Sequence, residues 1–204
     1  MRRLTFTDRV RKAANVVVIP IGQTLKDWGV YPNLLTIGGV VLVAFGAWQI
    51  VEKHFVVAAI IFLMSFPLDA LDGATARAYG ENRPFGAFLD STLDRYSDAL
   101  IFGAFSLHYA HEHDMWMVFA SLVALHGALT VSYTRARAEG LGLDCKEGWL
   151  TRLERLILVI TALFLTLFDA RLMAAGIVIL AIGTQVTALQ RIFHVHRLTQ
   201  NPEG

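Results

Sequence analysis

The chain has 204 residues, 55% of them hydrophobic and 17% charged, with a mean hydropathy of +0.50. That length suits one domain, and the charge fraction falls well below the ~25% usual in soluble domains, which excludes a disordered chain and argues against a soluble globule. With 18 Lys and Arg against 17 Asp and Glu the net charge is +1, so no basic field points to nucleic acid, and the lone Cys145 belongs to neither an intramolecular disulfide nor a Cys/His zinc pattern.

Residues 1–28 come first. Leu4, Phe6, Val10 and Val17 alternate with Arg and Lys, as in an amphipathic helix lying on the inner membrane surface, although a solvated basic tail suits residues 1–8 equally. The apolar stretch 16–21 is short and interrupted by Pro20, so no cleavable signal peptide is expected. Six apolar runs follow. Those at 34–51, 115–134 and 172–190 are long enough to cross a hydrocarbon layer of about 30 Å, whereas 55–68, 99–110 and 156–168 need flanking residues to complete a span. Each run is apolar all round, without the polar stripe of a soluble bundle helix. The expected fold is therefore an all-α integral membrane bundle, one domain over 1–204, with a juxtamembrane segment at 1–28 and six transmembrane helices over 29–198. With the N-terminus inside, every Lys and Arg except Lys53 and Arg171 falls on the cytoplasmic side. Both termini are then cytoplasmic in a multi-pass protein of the cell (inner) membrane.

Carboxylates interrupt the apolar pattern where the second and third helices meet. Asp69 and Asp72 are three apart and Asp90 and Asp94 four apart, so each pair shares a helix face, and the short connection at 78–85 makes the two helices antiparallel neighbours with the pairs opposed near the cytoplasmic boundary. An ionised Asp at the centre of a membrane helix costs about 2.5–3.5 kcal/mol, so four would cost roughly 10–14 kcal/mol if summed, less near the interface. Crowded carboxylates also repel one another. Divalent cations remove both penalties, and an all-oxygen set suits magnesium or manganese rather than zinc. Two such ions can clamp both ends of a phosphoryl displacement. Gly73 and Ala76 leave room for a ligand, and Arg77 is placed to grip a phosphate.

The stretch fits D-x2-D-G-x2-A-R-x8-G-x3-D-x3-D at Asp69, Asp72, Gly73, Ala76, Arg77, Gly86, Asp90 and Asp94. It resembles the signature of the CDP-alcohol phosphatidyltransferases, which have a surface helix and six membrane helices and are commonly homodimeric. The resemblance implies a phospholipid-biosynthesis transferase in which Asp69, Asp72, Asp90 and Asp94 bind two Mg2+ ions (Mn2+ as an alternative) and Asp94 is also the catalytic base. It implies that Gly73, Ala76, Arg77 and Arg83 meet the CDP-diacylglycerol donor. The run Pro32-Asn33-Leu34-Leu35 before Thr36 resembles the family's Pro-Asn-x-x-Thr, which also lines the nucleotide site. An acceptor hydroxyl would attack the lipid-linked phosphorus and CMP would leave.

For the acceptor, Ser132, Arg135 and Arg137 end the fourth run, Arg152 and Arg155 open the fifth, and Arg191 follows the sixth. Convergence of these arginines would cradle a phosphorylated acceptor, while ordinary positive-inside decoration is the alternative. Together with Ser97-Asp98 after the aspartate motif, the pattern resembles phosphatidylinositol-phosphate synthases of bacteria and their archaeal counterparts, which implies inositol 1-phosphate as acceptor and phosphatidylinositol phosphate as product. Glycerol 3-phosphate, the substrate of a phosphatidylglycerophosphate synthase, is the nearest competitor. A membrane prenyltransferase would space its acidic clusters differently, in two helix-pair repeats, and a metal-ion transporter would place acids near mid-bilayer. Among the remaining polar residues, His108, His111 and His113 are expected in a solvated outer loop. His194 and His196 are expected at the inner interface. His126 is expected in a helix–helix hydrogen bond, with Gly127 and Ala128 allowing close helix approach or a dimer contact.

Overall fold

The computed structural model describes residues 18–79 and 84–200, and no strand occurs among them. After helical residues 18–27 come α1 (Pro32–Val51), α2 (Phe55–Ala78), α3 (Pro84–His111), α4 (Met115–Glu139), α5 (Arg152–Leu165) and α6 (Ala170–Gln200). The first 17 residues, with most of the expected amphipathic segment, lie outside the described residues.

Local chemistry accounts for the helix ends. Pro32 opens α1, where its missing amide costs nothing. Asp114 caps α4 by accepting from the Met117 amide at 3.1 Å. The helix at 18–27 leaves through Gly29 at φ +76°, with Val30 N donating to Leu25 O and Gly29 N to Lys26 O. This pair of bonds closes a helix whose next residue turns left-handed. Lys53 and His113 occupy the same position after α1 and α3, at φ 64° and 58°.

Four helices, α1, α2, α4 and α6, are long and apolar enough to cross a membrane. The other two differ for visible reasons. α3 has 28 residues but carries Asp90, Asp94, Arg95 and Asp98, and α5 has only 14 residues. Large apolar side chains face outward in helical register, as at Leu34, Ile37, Val41, Phe45 and Trp48 on α1. An outward apolar stripe of that length marks a surface that meets lipid or another apolar partner.

The chain divides into two compact units. Met1–Phe45 with Ile61–Ser97 form the first, and Gly46–Ile60 with Asp98–Gly204 the second. In the first unit, a Cβ on Gly22 would come within 2.8 Å of Ala74 Cβ and 2.9 Å of Thr75 N, so helix 18–27 crosses α2 backbone to backbone. Lys26 Nζ donates to the Ala78 carbonyl at 2.9 Å, closing the C-terminal end of α2, and the Tyr31 and Tyr79 rings stack at 6.1 Å.

In the second unit α4 packs along α6. Ser121, Ala124, Ala128 and Val131 are buried on α4, and a Cβ on Gly127 would lie 2.1 Å from Thr184 Oγ1. The Gln185 amide donates to Val123 O at 3.0 Å and lies 3.2 Å from His126 Nδ1. The expected His126 bond and the close approach at Gly127 are both present, within one chain. The connection 140–151 is pinned to α6: Leu150 N donates to Thr187 Oγ1 at 3.0 Å, and His194 Nε2 lies 3.3 Å from Asp144 O. Cys145 is buried in it, and burial pushes its thiol up from the ordinary range. His108 corrects one expectation. It is buried inside α3, edge-on to Phe55 at 5.0 Å and beside Tyr109, because α3 runs on to His111; His111 and His113 are exposed as expected. Nearby, Lys53 pairs with Glu112 at 2.5 Å and holds its carboxyl below the usual carboxylate range.

Candidate active site

The aspartates of the motif fall on two helices of the first unit. Asp69 and Asp72 are on α2, followed by Gly73, Ala76 and Arg77; Asp90 and Asp94 are on α3. Two positions after Pro67, which denies α2 one internal amide donor, Asp69 occupies the next part of the helix, and Ser65 Oγ bonds the Phe62 carbonyl at 2.9 Å just before it. Asp72 is 7% exposed, and its Oδ2 accepts from Thr36 Oγ1 of α1 at 2.7 Å. A buried carboxylate with a short hydroxyl donor is held in one orientation. Asp90 and Asp94 are half-buried, and Arg95 Nη1 lies 3.7 Å from Asp94 Oδ2. Arg77 folds back over Gly73, its Nη1 3.5 Å from where a Cβ would stand there.

The side chain of Asp69 and all of Arg83 lie outside the described residues, and so does the expectation that four carboxylates make one cluster. Among the described residues no three His, Cys, Asp or Glu side chains converge for a metal. The donor chemistry nonetheless fits a hard divalent cation. The motif supplies only carboxylate oxygens, and Thr36 satisfies one oxygen of Asp72.

Of the Pro-Asn-x-x-Thr run, Pro32 and Thr36 are buried, Asn33 and Leu35 half-buried, and Leu34 is 60% exposed. Thr36 is the residue that sequence reasoning left off the site. Its motif position was legible, yet its partner across helices was not.

The residues assigned to an acceptor all belong to the second unit. Arg155 is 3% exposed and its Nη2 donates to Asp98 Oδ2 at 2.8 Å. Arg191, 2% exposed, donates through Nε to Glu147 O at 2.8 Å and through Nη1 to Val131 O, which ties α6 to α4 and to the connection between α4 and α5. Arg135 pairs with Glu139 at 2.8 Å on the α4 surface. Arg137 is exposed, and Ser132 and Arg152 are half-buried. Arg155 and Arg191 are thus built into the fold rather than decorating its surface. A cavity of about 510 Å³ in the same unit, lined by Glu147, Gly148, Trp149, Gln190, Phe193, His194 and Arg197, contains none of the expected site residues.

The chain is similar to known proteins along most of its length. The family model for CDP-alcohol phosphatidyltransferase matches residues 29–188. The chain is 36% identical over 178 residues to an archaetidylinositol phosphate synthase of Pyrococcus horikoshii, covering 87% of this chain and 89% of that protein. It superposes on the crystal structure of Mycobacterium tuberculosis phosphatidylinositol phosphate synthase with CDP-DAG bound, with a TM-score of 0.82 and 33% identity over 88% of this chain and 93% of that one. A second crystal structure of that synthase, in complex with manganese and citrate, also gives a TM-score of 0.82 and 33% identity, over 88% and 89% of the two chains.

Proposed function

Given that the chain belongs to the CDP-alcohol phosphatidyltransferase family, we propose that it transfers the phosphatidyl group of CDP-diacylglycerol to inositol 1-phosphate, giving phosphatidylinositol phosphate and CMP. The observation that carries the acceptor is the agreement among relatives of different lipid chemistry. An archaetidylinositol phosphate synthase and a phosphatidylinositol phosphate synthase each match along most of this chain, and their names share the inositol phosphate portion.

In this reading Asp69, Asp72, Asp90 and Asp94 hold two Mg2+ ions, with Mn2+ able to replace them; a manganese complex of the mycobacterial relative supports a divalent cation. The cations supply neutralisation of charge on the pyrophosphate. Thr36 holds Asp72 in its liganding orientation. Gly73, Ala76, Arg77 and Arg83, with Pro32, Asn33, Leu34 and Leu35 at the start of α1, bind the donor. Asp94 accepts the proton of the attacking hydroxyl as the new P–O bond forms and the bond to CMP breaks. Ser132, Arg135, Arg137, Arg152, Arg155 and Arg191 hold the acceptor's phosphate. Arg155 has the firmest support, because its buried Nε has no partner among the described residues.

The same reading makes the whole chain one membrane domain of six spans, with α3 and α5 completing the four apolar helices and 1–28 lying on the inner surface. Both termini and the site face the cytoplasm, and the protein works as a homodimer in the cell (inner) membrane. Exposed Trp28 and Trp149 in connections assigned to the inside, and Trp116 at the start of α4 assigned to the outside, suit helix ends at membrane interfaces, where Trp is enriched on both sides.

The test offers purified protein CDP-diacylglycerol with inositol 1-phosphate, glycerol 3-phosphate, serine or free inositol, and measures CMP release. Release with inositol 1-phosphate alone is expected. Release only with uncharged inositol overturns the arginine reading, and release with glycerol 3-phosphate instead reassigns the acceptor.

A further inference from the structure

Asp98 has no role in the reaction just described, yet its ion pair with Arg155 is among the most enclosed charged contacts described in the second unit. Its side chains are 11% and 3% exposed. Burying two charges costs several kcal/mol per ion before their attraction offsets it, and an apolar pair of the same volume often stabilises a fold equally well. Stability alone is therefore a poor reason for the pair.

The geometry of the guanidinium supplies a better one. Its N–H donors lie in one rigid plane. Asp98 Oδ2 takes Nη2 at 2.8 Å, and the Leu150 carbonyl takes Nη1 at 3.4 Å. Leu150 is itself held, because its amide donates to Thr187 Oγ1 at 3.0 Å on α6. Two anchors on different segments thus fix the Nη edge and the plane of the group. Nε remains buried without a partner among the described residues. A buried donor left unpaired is unfavourable until an acceptor reaches it, and a phosphate oxygen is a strong acceptor for an arginine N–H.

We propose that Asp98 is a positioning residue for the transfer reaction: by holding the Nη edge of Arg155 it presents the Nε–H to a phosphate oxygen of the acceptor. This rests on the reading that Arg155 contacts that phosphate. Asp98 follows Asp94 by four residues on α3, so both residues depend on the register of one helix. Asp98 itself touches no substrate, and its charge acts only through Arg155.

Initial rates of CMP release from the purified full-length chain test this, with inositol 1-phosphate varied at saturating CDP-diacylglycerol and the reverse. Asp98→Asn should raise the KM for inositol 1-phosphate about tenfold or more while the donor KM stays within about twofold. Asp98→Glu keeps the charge and should give a smaller rise in the same constant. It carries the test where Asp98→Asn does not fold. The double variant Asp98→Asn, Arg155→Lys should be no worse for the acceptor than Arg155→Lys alone, because coupled residues are non-additive. Equal changes in both KM values, or no change in either, overturn the positioning role. Arg155→Lys separates the two ideas. A raised acceptor KM there with an unchanged one in Asp98→Asn removes only the role of Asp98, whereas an unchanged acceptor KM in Arg155→Lys removes the phosphate contact and this inference with it.

Discussion

Thr36→Val removes one hydroxyl and keeps the volume and branching of the side chain. The hydroxyl donates to Asp72 Oδ2 at 2.7 Å, and both residues are 7% exposed, so water does not readily replace the lost donor. A hydrogen bond to a charged group contributes about 1.5–3 kcal/mol. At ~1.4 kcal/mol per decade this sets an upper limit of roughly 10- to 100-fold on the affinity lost by whatever Asp72 binds, reached if the whole bond serves to orient the carboxylate. The same range is typical when a partner that orients a metal ligand is removed. The half-saturating Mg2+ or Mn2+ concentration for CMP release should therefore rise about tenfold or more in Thr36→Val, and Thr36→Ser, which keeps the donor, should stay close to the parent. Metal titrations at saturating substrates, repeated by calorimetry without substrates, measure it. An unchanged metal requirement in Thr36→Val, with the protein folded, would refute the idea that this hydroxyl orients a metal ligand.

Asp94→Asn should retain metal and donor binding better than Asp69→Asn or Asp90→Asn while turnover falls by about 10²–10⁴, the usual contribution of a positioned base; near-parental CMP release would remove Asp94 from that role. Gly127→Ala puts a methyl 2.1 Å from Thr184 Oγ1, so α4 and α6 must separate, and overpacking of this kind costs about 1–3 kcal/mol. Its thermal midpoint should drop in detergent, while Gly38→Ala, which meets nothing within 4 Å, should hold or raise it. The buried Cys145 thiol should resist maleimide at neutral pH and react once the chain is unfolded. Because its folded value is raised, the stability it contributes is present below the ordinary thiol value of about 8.5 and is lost as pH rises through the folded one. Rapid labelling of the native protein would contradict its burial.

Much of the architecture was legible because a membrane helix announces itself by length and composition. The runs at 34–51, 115–134 and 172–190 fall inside α1, α4 and α6, and the run at 55–68 opens α2. The run at 99–110 was expected to need flanking residues, and the helix supplies them. The helix around it starts at Pro84, because backbone hydrogen bonding continues through Asp90, Asp94 and Asp98 whatever their polarity. His108 was misplaced because a histidine near a turn reads as solvated, and only the continuation of α3 against Phe55 encloses it.

Side-chain spacing along single helices was determined by the chain alone, since register is a local property: Asp72, Gly73 and Arg77 on α2, and Asp90 and Asp94 on α3, follow directly from 3.6 residues per turn. Which group answers each charge was decided by tertiary structure. Thr36 reaches Asp72 across 36 positions, Asp98 reaches Arg155 across 57, and Arg191 bonds backbone carbonyls at Val131 and Glu147 on segments far earlier in the chain. Such partnerships depend on how helices lie against one another, and that arrangement is set by summed packing, including single close contacts such as Gly127 on Thr184, which leave no periodic trace in the sequence.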